Sequence, residues 1–309
     1  SPPSSTDPAS AAIYPVALHR ALPPCASYKG LRGAGAAGAA EVFGQESNPL
    51  TWRLARQNLA LHGIDADLGP SAADTFAQDH HPGRPADVVL ANPPFHQSDW
   101  GASRLRDDPR WRYGLPPEAN ANFAWLQHVL AHLAPGGAAA VVLSNSSLSA
   151  TKAGEGAIRR AVAEDGWVDA VIALPPQLFF ATPIPSCVWV LDRARPDTTL
   201  FVDARGLAVR ADRSHRELPA EAIARVAALY RAYRAGEEAD EPGLAAVRSR
   251  RDLAAHRFAL TPARYLERAD TADGAPARER LAALAAEWRA LRDEADGLAR
   301  DIEEAGLGL

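Results

Sequence analysis

The run Asp87-Val88-Val89-Leu90-Ala91-Asn92-Pro93-Pro94-Phe95 narrows the possible folds further than any other stretch of the sequence. Its first half is apolar and β-branched, which predicts a buried strand, and two prolines end it. An amide, two rigid turn residues and an aromatic ring follow. Open parallel sheets bind ligands outside the carboxyl ends of their strands, so chemistry is expected here. Asn92 offers its amide oxygen, and Pro93 offers a backbone carbonyl where φ is already fixed. Two such acceptors can take both hydrogens of a planar NH2 group while Phe95 stacks on the ring that bears it. The nitrogen lone pair is then steered out of conjugation and becomes a better nucleophile toward a methyl sulfonium. Such a step needs positioning and electrostatics but no metal. The bland alternative is a strand that merely ends in a Pro-rich turn.

Around this run the sequence alternates helices and strands. Glu41 to Gln45 reads as a short strand ending in Glu46, and Asn48 caps a helix with Pro49 at its first position. An acid at a strand tip one element before the catalytic strand is where nucleotide-binding sheets hold ribose hydroxyls; the alternative is an extra cap for the helix. A short extended piece lies near Ala66 to Leu68 and a turn at Asp74-Thr75. His80-His81 lacks a third ligand and is expected in a solvated loop. Residues 100–117 carry Arg104, Arg106, Arg110 and Arg112 with Trp100, Trp111 and Tyr113. They suit either phosphate and base contact or a lid packed on its own domain.

A helix from Asn120 to Leu133 should bury Phe123, Leu126, Val129, Leu130 and Leu133. Strands are expected at Ala138 to Leu143, Val168 to Leu174 and Cys187 to Leu191, the last an antiparallel hairpin partner. A short helix from Glu155 to Glu164 lies among them. Phe179 or Phe180 could wall a base pocket, with core packing the favoured reading. Leu200 to Asp203 reads as a peripheral strand, and Ile223, Val226, Ala227 and Tyr230 as the buried face of a later helix. Strand, helix, strand, helix and a late hairpin describe an α/β fold with a doubly wound, mostly parallel sheet. Leu281, Leu284, Trp288, Leu291, Ala295, Leu298 and Ile302 form a heptad-spaced seam suited to pairing with a partner helix.

Composition limits the setting. At 309 residues, with 47% apolar content and no run of membrane-spanning length, a soluble core with an appendage is expected and no membrane contact. Cys25 and Cys187 lie far apart without metal spacing, which suggests a reducing, cytoplasmic location. A net charge of −5 argues against a freestanding nucleic-acid binder, so DNA contact must come from a local patch or a partner. Methionine is absent and the sequence starts at Ser1, so a fragment or a damaged reading frame is expected. The first 40 residues are Ser/Pro- and Ala/Gly-rich; Gly30, Gly33, Gly35 and Gly38 read better as a biased string than as a phosphate loop.

Several blocks resemble the modification subunit of type I restriction–modification systems. They are Gly44 through Pro49, Ala91 through Phe95, Asp108-Pro109-Arg110-Trp111, Asn120 through His128, and Leu178 through Pro185. The likeness spans roughly residues 41–265. It implies N6-adenine DNA methyltransferase activity with S-adenosyl-L-methionine as donor, in a complex with a specificity subunit and a restriction subunit. It also implies that Asn92, Pro93 and Phe95 grip and stack a flipped adenine, Pro94 holds the turn, Glu46 binds the donor's ribose and Asp74 its adenine. The family's Gly-rich donor turn and long N-terminal helical domain are not matched. The layout implied is a degraded remnant at 1–40, a methyltransferase core at 41–215, a helical extension at 216–268 and an amphipathic or coiled-coil helix at 275–309. The last would dock the specificity subunit. A truncated assembly subunit with a lost donor site is the alternative from another class.

Overall fold

The computed structural model describes residues 13–16, 41–179, 184–211, 216–267 and 277–304. The protein divides into two compact units, Ser1–Glu267 and Arg268–Leu309.

The first unit is built on a nine-stranded sheet. Its strands are β1 (Ile13–Val16), β2 (Val42–Phe43), β3 (Ala66–Asp67), β4 (Ala86–Ala91), β5 (Leu133–Ser144), β6 (Val168–Ala173), β7 (Ser186–Leu191) and β8 (Thr198–Asp203). A hairpin of β9 (Val209–Arg210) and β10 (Arg216–Glu217) stands apart, and β11 (Ala245–Ser249) completes the sheet. The order is β11-β8-β6-β7-β5-β4-β1-β2-β3. β7 runs antiparallel between β5 and β6, β11 runs antiparallel to β8, and every other pairing in this sheet is parallel. The doubly wound fold with a late antiparallel strand is therefore as expected.

Starting from β1, the sheet is built outward to β3, returns to pair β4 with the other side of β1, and continues outward from there. The switch point thus lies between β1 and β4, and Asn92 follows β4 directly.

Helix α1 (Pro49–Leu61) is fixed at its start by Asn48, whose side chain accepts from the N–H groups of Leu50 and Thr51. Its Ala55 and Leu59 pack with Val42, Ile64 and Leu68 on one side of the sheet's edge. Helix α2 (Asn122–His132) differs from the amphipathic helix expected. Asn122, Gln127, His128 and His132 are buried along with the apolar residues, because residues 100–117 cover the face that would otherwise meet water. Gln127 shows this: its Oε1 accepts from Tyr113 N (2.8 Å) and its Nε2 donates to the Gly114 carbonyl (2.8 Å).

Helix α3 (Glu155–Glu164) lies where periodicity placed it. Helix α4 (Ala220–Ala235) buries Tyr233 and half-buries Val226, Leu229 and Tyr230, whereas Ile223, expected inside, is 56% exposed. The short helix α5 (Arg250–Ala255) begins with a capping box between Ser249 and Asp252.

Three further expectations are corrected. Leu200 to Asp203 is not peripheral, because β11 pairs along its outer side. For the same reason residues 216–267, expected as part of a helical extension over 216–268, lie in the first unit and carry its edge strand. Within residues 1–40, expected to lack structure, Ile13–Val16 forms an interior strand between β2 and β4, in register with Val88 through Ala91. Four residues are too short a run for periodicity to reveal, and tertiary pairing decides their state. The Gly30-to-Gly38 string and Cys25 lie outside the described residues.

The second unit holds helix α6 (Ala277–Glu304). Leu284, Trp288 and Leu291 of the heptad seam are each more than half exposed. Among the described residues no helix is long and apolar enough to cross a membrane.

Candidate active site

The carboxyl ends of β2, β3 and β4 present the three groups of expected site residues. After β4, Pro93 is buried while Asn92, Pro94 and Phe95 are half-buried. The Asn92 amide makes no hydrogen bond among the described residues and is not absorbed into the core. The backbone then reverses at His96, a non-glycine residue with φ 54°. Such a left-handed residue costs roughly 1 kcal/mol or more and persists where its surroundings impose it. Here the imposing contacts are visible. The Gln97 carbonyl accepts from Ala121 N (2.9 Å), and the Gln97 side-chain oxygen accepts from Trp125 Nε1 (3.1 Å), so the turn is pinned to the start of α2. Phe179, expected in the core, instead sets its ring edge-on to Phe95 with centroids 6.1 Å apart. Phe180 lies outside the described residues.

Glu46, after β2, is 8% exposed. Its Oε1 accepts from Asn48 N (2.8 Å) and more distantly from Ser47 Oγ (3.5 Å), so part of its role is to secure the entry to α1. Its Oε2 makes no hydrogen bond among the described residues, leaving one carboxylate oxygen for a ligand hydroxyl. Asp74, after β3, is exposed, and its Oδ1 accepts from Phe76 N (2.9 Å) in a tight turn.

Backbone and amide bonds stitch these two acids together. Ala73 N donates to the Glu46 carbonyl (3.0 Å); Gln45 Nε2 donates to the carbonyls of Ala73 (3.0 Å) and Gln78 (2.6 Å); and Gln45 Oε1 accepts from His80 N (2.9 Å). Sequence reasoning gave Gln45 no role. A buried amide facing three backbone groups is invisible to periodicity.

The arginine-rich stretch resolves into two kinds of residue. Trp100 and Trp111 are buried and pack around Phe76 (centroids 5.1 and 6.2 Å). Arg110 forms a fork with Asp108 (Nε–Oδ1 2.8 Å, Nη2–Oδ2 2.7 Å). It also donates to the carbonyls of Thr75 (3.0 Å) and Phe76 (2.9 Å), bracing the loop that presents Asp74. These residues belong to a packed lid, while Arg104, Arg106 and Arg112 are exposed on it. The Arg110 hydrogen bonds hold the Asp108 carboxyl below its usual range.

Behind Arg110 lies a buried polar network. Its Nη1 is 3.2 Å from His128 Nδ1, and His132 Nε2 is 2.9 Å from Asp79 Oδ2. Burial acts to raise the Asp79 carboxyl, but hydrogen bonds from His132 and the His81 backbone outweigh it and hold Asp79 down to about 2. Burial, with the His132 and Arg110 charges, pushes His128 well below the usual imidazole range.

His81 is not in a solvated loop as expected. It is 4% exposed, with Nε2 2.9 Å from the Gly44 carbonyl and its ring against Phe43. Among the described residues no cluster of three or more His, Cys, Asp or Glu is placed to hold a metal.

Comparisons with known proteins bear out the fold. The protein is 41% identical over 249 residues to the type I restriction enzyme HindI methylase subunit of Haemophilus influenzae, covering 79% of its own length and 56% of that relative. It is 34% identical over 276 residues to the MjaIX methylase subunit of Methanocaldococcus jannaschii, covering 85% and 49% respectively. It therefore spans about half the length of these curated relatives. Among solved structures, the methyltransferase subunit of a type I restriction–modification system from Streptococcus thermophilus superposes with a TM-score of 0.72 at 30% identity. That match covers 84% of this protein and 55% of the other. The family model for N-6 DNA methylases matches residues 27–274, and the protein belongs to that family.

Proposed function

We propose that this protein methylates N6 of adenine in DNA with S-adenosyl-L-methionine as donor, as the modification subunit of a type I restriction–modification complex. The observation that carries this is the Asn92-Pro93-Pro94-Phe95 turn, open at the switch point of the sheet. Asn92 Oδ1 and the Pro93 carbonyl accept the two N6 hydrogens, and Phe95, backed edge-on by Phe179, stacks on the purine. An adenine inside a duplex cannot reach this turn, so the base is flipped out of the helix. When bound, S-adenosylmethionine supplies an electrophilic methyl on a sulfonium. Asn92 and Pro93 would hold the N6 nitrogen with its lone pair free to take that methyl, and an N6 proton would leave to water.

The residues present fit the donor in part: Glu46 has one carboxylate oxygen available for a ribose hydroxyl, and Asp74 stands on a braced loop beside it. Arg104, Arg106 and Arg112 are placed to meet backbone phosphates. The exposed seam of α6 docks the specificity subunit, which carries sequence recognition. The restriction subunit joins the same assembly.

Expression in cells lacking adenine methylation, with and without a specificity subunit, followed by measurement of N6-methyladenine, tests the activity. Calorimetry with S-adenosylmethionine tests the donor site, with saturable binding expected and reduced at least tenfold in Glu46→Gln. A protein that joins its partner but shows no saturable donor binding is a non-catalytic assembly subunit, and the proposed activity fails.

A further inference from the structure

β5 runs parallel to β4 and ends at Ser144, so the residues after it emerge on the same edge of the sheet as Asn92. There a cavity of about 390 Å³ opens, lined by Ser149 and Thr151, by Arg159 of α3, and by His256, Arg257 and Arg264 after α5. No carboxylate lines it.

Arg159 is the unusual member. It is 2% exposed, and its guanidinium donates only to backbone carbonyls: Nε to Phe258 (2.8 Å), Nη1 to Ser147 (3.5 Å) and to Ala150. Arginine stays protonated, and a buried charge is ordinarily paired. Yet none of the hydrogen bonds Arg159 makes among the described residues goes to a carboxylate. Glu155, one turn earlier, attracts it through space but is held by Asn120 Nδ2 at 3.0 Å.

Two more guanidinium groups, of Arg257 and Arg264, add like charge around the same volume to a buried cation. That combination raises the energy of the empty cavity and favours an anion. Arg257 and Phe258 are both held in the left-handed region (φ 52° and 54°), a conformation that lets the Phe258 carbonyl reach Arg159 while Arg257 borders the cavity. Forked arginine donors match phosphate oxygens bidentately, and the Ser149 and Thr151 hydroxyls offer further donors.

We propose that this cavity seats one phosphate of the DNA backbone beside the base held at Asn92, an assignment that rests on DNA being the substrate as proposed above. A flipped nucleotide rotates about its own backbone, so pinning a flanking phosphate fixes the axis of that rotation.

The test uses Arg257→Gln/Arg264→Gln, two exposed positions away from Asn92 and Glu46, with Arg257→Lys/Arg264→Lys as the charge-keeping control. Arg159 is left in place, because its loss would strand three carbonyls. Binding of a 20-base-pair duplex by the whole protein is followed by fluorescence anisotropy from 50 to 200 mM salt. Loss of one phosphate contact reduces the salt slope by about 0.9, so the parent should lose roughly three- to fourfold more affinity across that range than the glutamine variant. The lysine variant should keep the parent slope. Donor affinity and the urea midpoint should not change in either.

If the parent binds the duplex and the glutamine variant keeps its slope, the cavity assignment fails while the proposed function stands. Phosphorus NMR with inorganic phosphate separates the sources. Binding of free phosphate that the glutamine variant loses, with an unchanged duplex slope, assigns the cavity to the free ion and overturns the backbone assignment. If the parent binds neither duplex nor donor, the proposed function itself fails and the cavity assignment with it.

Discussion

Replacing Arg110 with alanine should destabilise the first unit by about 3 kcal/mol and weaken donor binding about tenfold. The stability figure follows from what the side chain holds. Asp108 and Arg110 are only 14% and 12% exposed at the side chain, and the guanidinium makes five hydrogen bonds, two to Asp108, one each to the carbonyls of Thr75 and Phe76 and one to His128 Nδ1. Removing one partner of a buried pair leaves the other desolvated and costs about 3–5 kcal/mol. The lower end applies here, because truncation opens a path for water to the freed carbonyls. The effect on donor binding has a separate origin: without its brace, the turn carrying Asp74 is free to move.

Urea unfolding gives the stability change, provided the slope with denaturant is unchanged. A double-mutant cycle with Asp108→Asn isolates the pair, with a coupling of about 1–3 kcal/mol expected for groups in direct contact. The pH dependence adds a check on sign. Arg110 depresses the folded Asp108 carboxyl, so its stabilisation is complete above the unfolded value near 3.9 and is lost as pH falls through the lower folded value. The parent's advantage over Arg110→Ala should therefore shrink below about pH 4. A loss under 1 kcal/mol at pH 7.5 together with unchanged donor affinity would refute the brace.

Three further outcomes are expected. Asn92→Ala should lower the methylation rate by about 100-fold or more with donor affinity intact, because it removes an acceptor used only at the reacting amine; equal loss of donor binding in calorimetry would place Asn92 in the wrong pocket. His128 is pushed down by burial, so the folded state resists protonating it: its contribution is complete above about pH 6.5 and falls as pH drops below that, by at most about 1.4 kcal/mol per pH unit. His128→Gln should flatten urea midpoints between pH 6.5 and 5, and an unchanged slope would remove His128 as the cause. On α6, Leu291→Glu should abolish co-purification with the specificity subunit while leaving donor affinity untouched; retention of the complex would move the docking surface elsewhere.

How much of this molecule could be read in advance depended on the range of the interactions involved. Asn48 and Pro49 start α1 through contacts within three residues, and Val88 to Leu90 need only their own apolar character to become a strand. Local chemistry of that kind is written in the sequence, and so was the Asn-Pro-Pro-Phe turn, because the acceptors and the ring sit within four positions of one another.

Long-range partners were a different matter. The arginines of residues 100–117 looked alike as letters, yet Arg110 is spent on Asp108 and on carbonyls 34 and 35 positions away, while Arg104, Arg106 and Arg112 face solvent. Gln127 and His128 belong to a helix face whose polar pattern points to water, until the lid closes over it.

Sequence by itself determined the strand and the Asn-Pro-Pro-Phe turn after it, the capped helix beside it and the doubly wound order, since each follows from short-range propensity and hydrophobic period. Only tertiary structure decided that Ile13–Val16 would take the place between β2 and β4, that Phe179 would stand against Phe95, and that Arg159 would be buried with its hydrogen bonds given to carbonyls. Those placements depend on which distant residues meet, and a one-dimensional pattern carries no measure of that distance.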